Sequence, residues 1–245
     1  MRSLLIAVIT IVFLLPSLSS CKKETVSKDA KVSFSFNHYV GGQTLEFDTI
    51  KYTNETGNLY SVSTLKYFVS DFVLTDADGK LVSFMGAFFV DAKEIEDNSF
   101  VSSATIPAGT YNKLSFVLGL NEDKNINGAF PNPPENNMEW PVPLGGGYHY
   151  MKLEGKFDSA NIIKNYQAHT GRLMENPHFI NISISDLNLL IEGSDKTINL
   201  NMDVNKWWVT PNILDLNNIS GIMENEGIQT MLMENGSDIF SSTIE

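Results

Sequence analysis

The sequence contains one cysteine in 245 residues, Cys21, so no disulfide bond can form within the chain. It also lacks the short motifs by which many enzymes are recognised. There is no G-x-S-x-G nucleophile motif, no phosphate-binding loop, no dinucleotide-binding glycine pattern and no H-E-x-x-H. If Cys21 carries lipid, no thiol remains for catalysis or for binding soft metals. We therefore expect a protein that is not an enzyme.

Basic residues are few relative to acidic ones. The chain has 17 Lys and Arg against 29 Asp and Glu, which gives a formal net charge of −12 at pH 7. Such a charge repels the phosphates of nucleic acids, so we expect no nucleic-acid partner. The acidic residues are spread along the chain rather than grouped, which favours a role in solubility over a role in attracting cations.

The N-terminal segment has the pattern of a secretion signal. Arg2 is followed by an apolar run over residues 4–15, which is too short for a settled transmembrane helix. The run leads into Leu18-Ser19-Ser20-Cys21, which resembles a bacterial lipobox, in which the cysteine is diacylated and becomes the mature N-terminus. Residues 1–20 are therefore predicted to be a lipoprotein signal peptide.

The residues after this signal predict a membrane anchor. Residues 21–31 would form the lipidated Cys21 and a short polar tether. The residue after the cysteine is Lys22 rather than Asp, which by resemblance to known sorting rules favours the outer membrane over the inner one. The predicted location is the cell envelope, with the periplasmic and surface faces both open.

Apolar and polar residues alternate in short runs separated by tight turns, which is typical of antiparallel strands. Clear examples are residues 32–36 and 179–190. Helical spacing is seen over residues 227–235, where Gly236 would cap a short helix. Because there is no internal repeat and no change of composition, we predict an all-β fold, a single-domain antiparallel β-sandwich over residues 32–245.

The most unusual stretch is residues 138–155, MEWPVPLGGGYHYMKLEG. Three glycines at 145–147 allow backbone angles that other residues disfavour, and a regular strand follows them. In such a strand His149, Met151 and Leu153 would share one face. An imidazole at the mouth of a glycine-rich loop is either a metal ligand or a hydrogen-bonded core histidine, and both interpretations stay open at this point.

Three of the four histidines, His38, His149 and His169, adjoin loops that contain glycine. If these loops meet at one end of the sandwich, three imidazoles would converge. Imidazole is a good ligand for copper, zinc, iron and nickel. The fourth histidine, His178, follows the turn Asn176-Pro177 and is predicted to be exposed and structural.

Three further side chains are candidates for the neighbourhood of a metal at His149. Met138 and Met151 could each add a thioether, which would favour copper. Trp140 is close enough in sequence to lie beside the same site. Copper is therefore the candidate cofactor.

Residues 121–128, NEDKNING, suggest a second metal, calcium. Asp123, Asn125 and Asn127 match the first half of an EF-hand calcium loop. The second half does not match, because the twelfth position is Pro134. A polar loop without calcium is the favoured interpretation.

Five blocks spread over most of the mature chain stand out together. The blocks are FSFNHYVGGQTLEF, STLKYFVSDFVL, IPAGTYNKLSFVLGLN, MEW followed by GGYHYMKLEG, and AHTG. In these blocks, whose order and spacing are more specific than any single block, the sequence resembles the copper-binding MbnP-like domain family, which is widespread in lipoproteins of the Bacteroidota.

This resemblance implies a β-sandwich with a copper site that uses histidine. By the matching blocks, the candidate ligands are His38, His149 and His169. In related copper proteins a tryptophan is oxidised to kynurenine and binds the metal, and a diheme peroxidase of the MauG type is the implied partner; Trp140 is the candidate here. The chain departs from the family at position 147, which is Gly where relatives carry a Trp two residues before the His.

The sequence thus predicts a lipid-anchored copper-binding protein of the cell envelope, for metal acquisition or handling. The alternative is a non-metal binding module, either for glycans or as an accessory lipoprotein of an outer-membrane transporter of the TonB-dependent type. For glycans, an aromatic platform would be formed by Tyr148, Tyr150, Trp207 and Trp208.

Overall fold

The computed structural model describes residues 28–94 and 98–245. The predicted signal peptide, the lipidation site Cys21 and most of the tether lie outside these residues. The strands are Val32–Val40 (β1), Gln43–Thr44 (β2), Tyr52–Thr53 (β3), Leu59–Tyr60 (β4), Thr64–Asp76 (β5), Leu81–Asp91 (β6), Ser99–Val101 (β7), Gly109–Leu118 (β8), Met151–Ser159 (β9), Ile162–Thr170 (β10), Ile180–Ile191 (β11), Lys196–Asp203 (β12) and Phe240–Ile244 (β13). One α-helix occurs in this part of the chain, Glu226–Gly236 (α1), with short 3₁₀ turns at Glu135–Met138, Val142–Leu144, Val204–Trp208 and Ile222–Glu224.

The smaller sheet has the strand order β13-β12-β1-β2. The short strand β7 also pairs with β1, beside residues 33–35, whereas β2 pairs with residues 39–40. β1 and β12 run parallel, with Val32 opposite Lys196 and Tyr39 opposite Asp203. The other pairs among the strands of the described residues are antiparallel, as predicted. A parallel pair is possible here because β1 and β12 are far apart in sequence and are not joined by a hairpin.

The larger sheet is built around the long strand β5, in the order β11-β8-β5-β9-β4-β3. One edge of β5 pairs with β6 in a hairpin. The other edge is shared, because residues 64–67 pair with β9 and residues 69–76 pair with β8. β10 continues from β9 as an antiparallel neighbour, so the ends of these two strands lie together.

The main core lies between the two sheets, as the alternation in β1 predicts. Val32, Phe34, Phe36, His38 and Val40 are all buried, and the residues between them are half-buried. Aromatic contacts join the sheets: the ring of Phe34 lies 5.0 Å from that of Phe72 on β5. The predicted β-sandwich is confirmed.

A second, smaller apolar cluster lies on the other face of the larger sheet. It contains Phe68 of β5 together with residues of the long connection between β8 and β9. Its buried members are Phe68, Phe89, Leu120, Met138, Tyr148 and Tyr150. This cluster holds the glycine-rich stretch against the sheet.

The predicted C-terminal helix is present as α1. The side chain of Asn225 caps it by accepting a hydrogen bond from the backbone N–H of Ile228 at 3.2 Å. The predicted capping role of Gly236 is wrong, because this residue is the last of the helix and packs against the sandwich. A Cβ there would contact Ile180 and lie 2.8 Å from the ring of Trp207.

The aromatic platform that the glycan alternative requires is not seen. Trp207 and Trp208 are fully buried in the main core, and Tyr148 and Tyr150 are buried in the second cluster. None of the helices in the described ranges is long and apolar enough to cross a membrane.

Candidate metal centre

The glycine-rich stretch folds into a closed loop that brings Trp140 beside His149. Gly145, Gly146 and Gly147 all have positive φ angles, of 125°, 70° and 82°, as the run of three glycines predicts. The backbone N–H of Trp140 donates to the carbonyl of Gly147 at 2.9 Å. As a result the rings of Trp140 and His149, nine positions apart in sequence, lie 4.7 Å apart, nearly perpendicular.

The pairing of β9 with β10 brings His169 to the same place. The backbone N–H of Tyr150 donates to the carbonyl of Thr170 at 2.7 Å, which extends the β9–β10 contact by one residue beyond Met151. The rings of His149 and His169 lie 5.0 Å apart at an angle of 82°. Two of the three predicted ligands are therefore neighbours.

His149 does not share a face with Met151 and Leu153, and this prediction was wrong. Those two side chains belong to the main core. His149 instead contacts His169, whose cross-strand neighbour is Lys152 on the opposite face of β9. The alternation fails because regular strand begins only at Met151.

Gly171 of the AHTG block makes room for the tryptophan. A Cβ at this position would lie 2.7 Å from the ring atoms Cδ2 and Cε3 of Trp140. The Trp140 side chain is buried, and its Nε1 has no hydrogen-bond partner in the described part of the chain. The Trp140 ring thus fits against the end of β10 beside His169.

Hydrogen bonds fix the tautomers of both histidines in the pair. His149 Nδ1 lies 3.0 Å from the carbonyl oxygen of Met138, which can only accept, so this nitrogen carries the proton. His169 Nε2 lies 2.7 Å from Oε1 of Glu154 and donates to that carboxylate. The lone pairs are therefore left on His149 Nε2 and His169 Nδ1. A histidine held by a carbonyl or carboxylate at one nitrogen is the usual arrangement of a metal ligand.

Both imidazoles are neutral at neutral pH. Burial, together with the positive charge of Lys152, lowers the pKa of His149 to about 3. Burial also lowers the pKa of His169, and the Glu154 carboxylate opposes this shift. No proton has to be displaced from either lone pair before a metal binds.

The third predicted ligand, His38, lies elsewhere. It is on β1 in the core between the sheets, where its Nε2 shares a hydrogen bond of 2.9 Å with the hydroxyl of Tyr67. Across residues 28–94 and 98–245, no three His, Cys, Asp or Glu side chains are grouped closely enough to hold a metal ion. The expected convergence of three imidazoles is therefore reduced to the pair His149 and His169.

The side chains of Met138 and Met151, predicted as possible neighbours of the metal, are packed in the two apolar clusters. The Met138 side chain is buried in the second cluster, and its carbonyl accepts hydrogen bonds from both the backbone N–H and the ring of His149. The Met151 side chain belongs to the main core, with Tyr67 as its cross-strand neighbour.

The loop at residues 121–128, which resembles half of a calcium site, is hydrogen-bonded to the glycine-rich loop. Asn125 Oδ1 accepts a hydrogen bond from the N–H of Tyr148 at 2.7 Å, and Asn127 Oδ1 accepts one from Gly147 at 2.5 Å. The Asp123 side chain is exposed. The two amide oxygens that calcium would need are thus bonded to the glycine-rich loop.

Sequence reasoning missed two polar residues of the site. Glu154 orients His169, and the buried amide of Gln229 donates to the backbone carbonyl of His169 at 2.8 Å. Glu154 could have been found only from the β9–β10 register, and Gln229 only from the packing of α1.

A surface pocket of about 430 Å³ reaches His169 from solvent and is lined in part by Met223 and Glu224 of the segment before α1.

The fold and the paired imidazoles define the class of the protein: a β-sandwich with a two-histidine candidate metal centre beside a buried tryptophan. The sequence profile of the MbnP family matches residues 29–226, and the chain belongs to this family. Its fold is similar to that of MbnP from Methylosinus trichosporium, with a TM-score of 0.61 at 14% sequence identity; the match covers 89% of this chain and 99% of that one. No curated protein gives a significant sequence match.

Proposed function

We propose that this protein binds copper through His149 and His169, as a lipid-anchored protein of the cell envelope that acquires or handles the metal. The observation that carries the proposal is the pair of buried rings 5.0 Å apart, each tied by one nitrogen to an acceptor and left with a lone pair on the other. Membership of the MbnP family and the lipobox-like segment ending in Cys21 support it.

The residues present fit copper. The donors are neutral imidazole nitrogens, which suit copper and zinc, and the carboxylate in contact with His169 is already used to orient the ring. Trp140 lies beside the pair with its Nε1 buried and unpaired in the described residues, so its indole could contact a metal held by His149. Bound copper would supply a redox-active centre, and the residues around it would hold and orient its ligands.

We infer that the function is binding rather than catalysis. The two His rings bind the metal. The Met138 carbonyl holds His149, and Glu154 holds His169, in the tautomer whose other nitrogen has a free lone pair. The family resemblance assigns a MauG-type diheme peroxidase as the partner that would modify Trp140. The Trp140 ring lies 4.7 Å from that of His149, although it precedes this residue by nine positions rather than two. A TonB-dependent transporter is the partner proposed for uptake.

Metal analysis of the purified protein tests the proposal. The protein is exposed to equal concentrations of copper and zinc, desalted and analysed for both metals. We expect about one copper ion per chain, in keeping with a single pair of imidazole ligands, and near-complete loss of copper in His149→Ala. Unchanged copper in His149→Ala, or zinc in place of copper in the parent protein, would contradict the proposal.

A further inference from the structure

The loop over residues 121–128 is bonded to the glycine-rich loop through two asparagine side chains. Asn125 lies buried beneath that loop, where its Oδ1 accepts from the N–H of Tyr148 and its Nδ2 donates to the Tyr150 hydroxyl at 3.1 Å. Asn127 lies nearer the surface and accepts from the N–H of Gly147. Two consecutive backbone N–H groups are therefore held by two side chains of one loop.

The fit between the two loops is close enough to exclude side chains. A Cβ at Gly146 would lie 2.6 Å from Oδ1 of Asn127, and a Cβ at Gly147 would overlap the amide of Asn125. These glycines are needed for their positive φ angles and also for the approach of the two amides. The asparagines and the glycines thus form one interlocked unit.

This unit is connected directly to the candidate ligand. Gly147, which Asn127 holds through its N–H, accepts the hydrogen bond from the Trp140 backbone through its carbonyl. Tyr148, which Asn125 holds, bridges to Glu139 and immediately precedes His149. Any displacement of residues 147 and 148 therefore moves the Trp140 and His149 backbones together.

We propose that Asn125 and Asn127 are positioning residues, which set the His149 ring and Trp140 in place relative to His169. The consequence for copper rests on the proposed function, whereas the consequence for the geometry of His149 does not. The backbone N–H groups of Gly147 and Tyr148 have the two asparagine oxygens as acceptors and no backbone acceptor in the described residues, so loss of either side chain leaves an N–H group unpaired.

The test compares four single variants. Asn127→Ala removes the acceptor for Gly147, while Asn127→Asp retains an acceptor oxygen of the same reach. Asn125→Ala removes the bonds to both Tyr148 and Tyr150. Asn132→Ala is the matched control, because Asn132 is an exposed asparagine of the same connection. Thermal unfolding identifies any variant that fails to fold, and Asn127 carries the test if the buried Asn125 does not tolerate alanine.

Two readouts separate positioning from stability. In the metal-free protein, ¹⁵N and ¹H NMR of the His149 ring reports its tautomer and its place beside the Trp140 ring. In the copper-loaded protein, the affinity and the electron paramagnetic resonance spectrum report the ligand geometry. We expect shifted His149 ring signals in Asn127→Ala and Asn125→Ala. Copper affinity should fall by about tenfold, the lower end of the effect of removing a partner bonded to a metal ligand, because the asparagines act through the backbone.

Asn127→Asp and Asn132→Ala are expected to resemble the parent protein in both readouts. His149 ring signals in a folded Asn127→Ala that superimpose on those of the parent would overturn the proposal, as would an equal shift in Asn132→Ala. If the parent protein binds no copper, the proposed function fails, but the ring signals of the metal-free variants still decide whether the asparagines position His149.

Discussion

His38 and the His149–His169 pair are two buried histidine environments in one fold, and they differ in what burial accomplishes. At both places desolvation lowers the pKa, to about 4 for His38 and to about 3 for His149. The His38 ring shares a hydrogen bond with the hydroxyl of Tyr67, and this polar contact lies within an apolar core. The other two rings, His149 and His169, lie 5.0 Å apart and nearly perpendicular, each with one nitrogen hydrogen-bonded to an acceptor.

The comparison teaches that a buried neutral imidazole is not enough to identify a metal ligand. What distinguishes the pair is the second imidazole and the fixed tautomers, which leave one lone pair on each of two neighbouring rings. His38 adjoins a glycine turn in sequence just as the other two do, but its environment is that of a structural histidine. Three predictions separate the two environments.

The largest expected difference is in metal binding. We expect His169→Ala to lose stoichiometric copper binding altogether, since removal of an outer-shell partner alone costs a metal site about 10–100-fold in affinity. The matched variant is His38→Gln, which keeps a polar group near Tyr67 and should bind copper within about twofold of the parent protein, because His38 supplies no ligand. Titration of both variants with copper, in the reduced form under anaerobic conditions and in the oxidised form in air, measures the two affinities.

The reverse result would undo the comparison. If His38→Gln lost copper while His169→Ala kept it, the three-histidine arrangement predicted from the sequence would have to form by a rearrangement of β1 against the loop at residues 138–150. Circular dichroism of both variants shows whether loss of copper follows from loss of fold.

The second prediction concerns stability against acid, to which His38 and His149 both contribute because burial lowers both pKa values, and His38→Gln removes the His38 part alone. The pKa of His38 is about 4 in the fold against 6.5 as the ordinary value, so the unfolded chain takes up a proton that the folded chain refuses. This contribution to stability is complete above pH 6.5 and is lost as the pH falls towards 4, by about 3 kcal/mol in total. Urea unfolding of the metal-free protein across that interval should show a smaller decrease for His38→Gln.

An equal decrease in His38→Gln and the parent protein would mean that other groups, and not His38, take up the protons. In that case the burial of His38 would not penalise its charged form. The description of His38 as a buried neutral histidine of the core would then be wrong.

The fold was largely predictable from the sequence, because the period of two in segments such as β1 directly specifies which side chains face the core. The glycine-rich loop was also predictable, since three successive glycines imply backbone angles that other residues disfavour. The parallel pairing of β1 with β12 was not, because strands far apart in sequence leave no turn signal between them.

The site was predictable only in part. His149 and His169 stand out by their glycine neighbours, but nothing local shows that His38 lies in the inter-sheet core instead of beside them. The prediction that His178 is exposed was wrong: the side chain is buried and its Nε2 lies 3.1 Å from Glu226 of α1. In both cases the deciding contact comes from an element distant in sequence, which a single sequence does not reveal.

The smallest expected difference concerns the hydrogen-bond partners of His169 and His38, which are Glu154 and Tyr67. Glu154→Ala should lower copper affinity by about tenfold, because His169 loses the carboxylate that holds its tautomer. Its effect on the free energy of unfolding should be slight, since the Glu154 side chain is partly exposed. Glu154→Gln, which keeps an acceptor oxygen but not the charge, should lie between Glu154→Ala and the parent protein in affinity.

Tyr67→Phe should have the opposite profile. It leaves Nε2 of the buried His38 without its hydrogen bond, which should cost about 1–3 kcal/mol of unfolding free energy. Copper affinity should be unchanged, because Tyr67 contacts neither ring of the pair. Denaturant unfolding and copper titration of both variants give a two-by-two comparison. A loss of affinity in Tyr67→Phe as large as that in Glu154→Ala would show that the core around His38 and the metal centre are coupled, and would join the two environments that the structure separates.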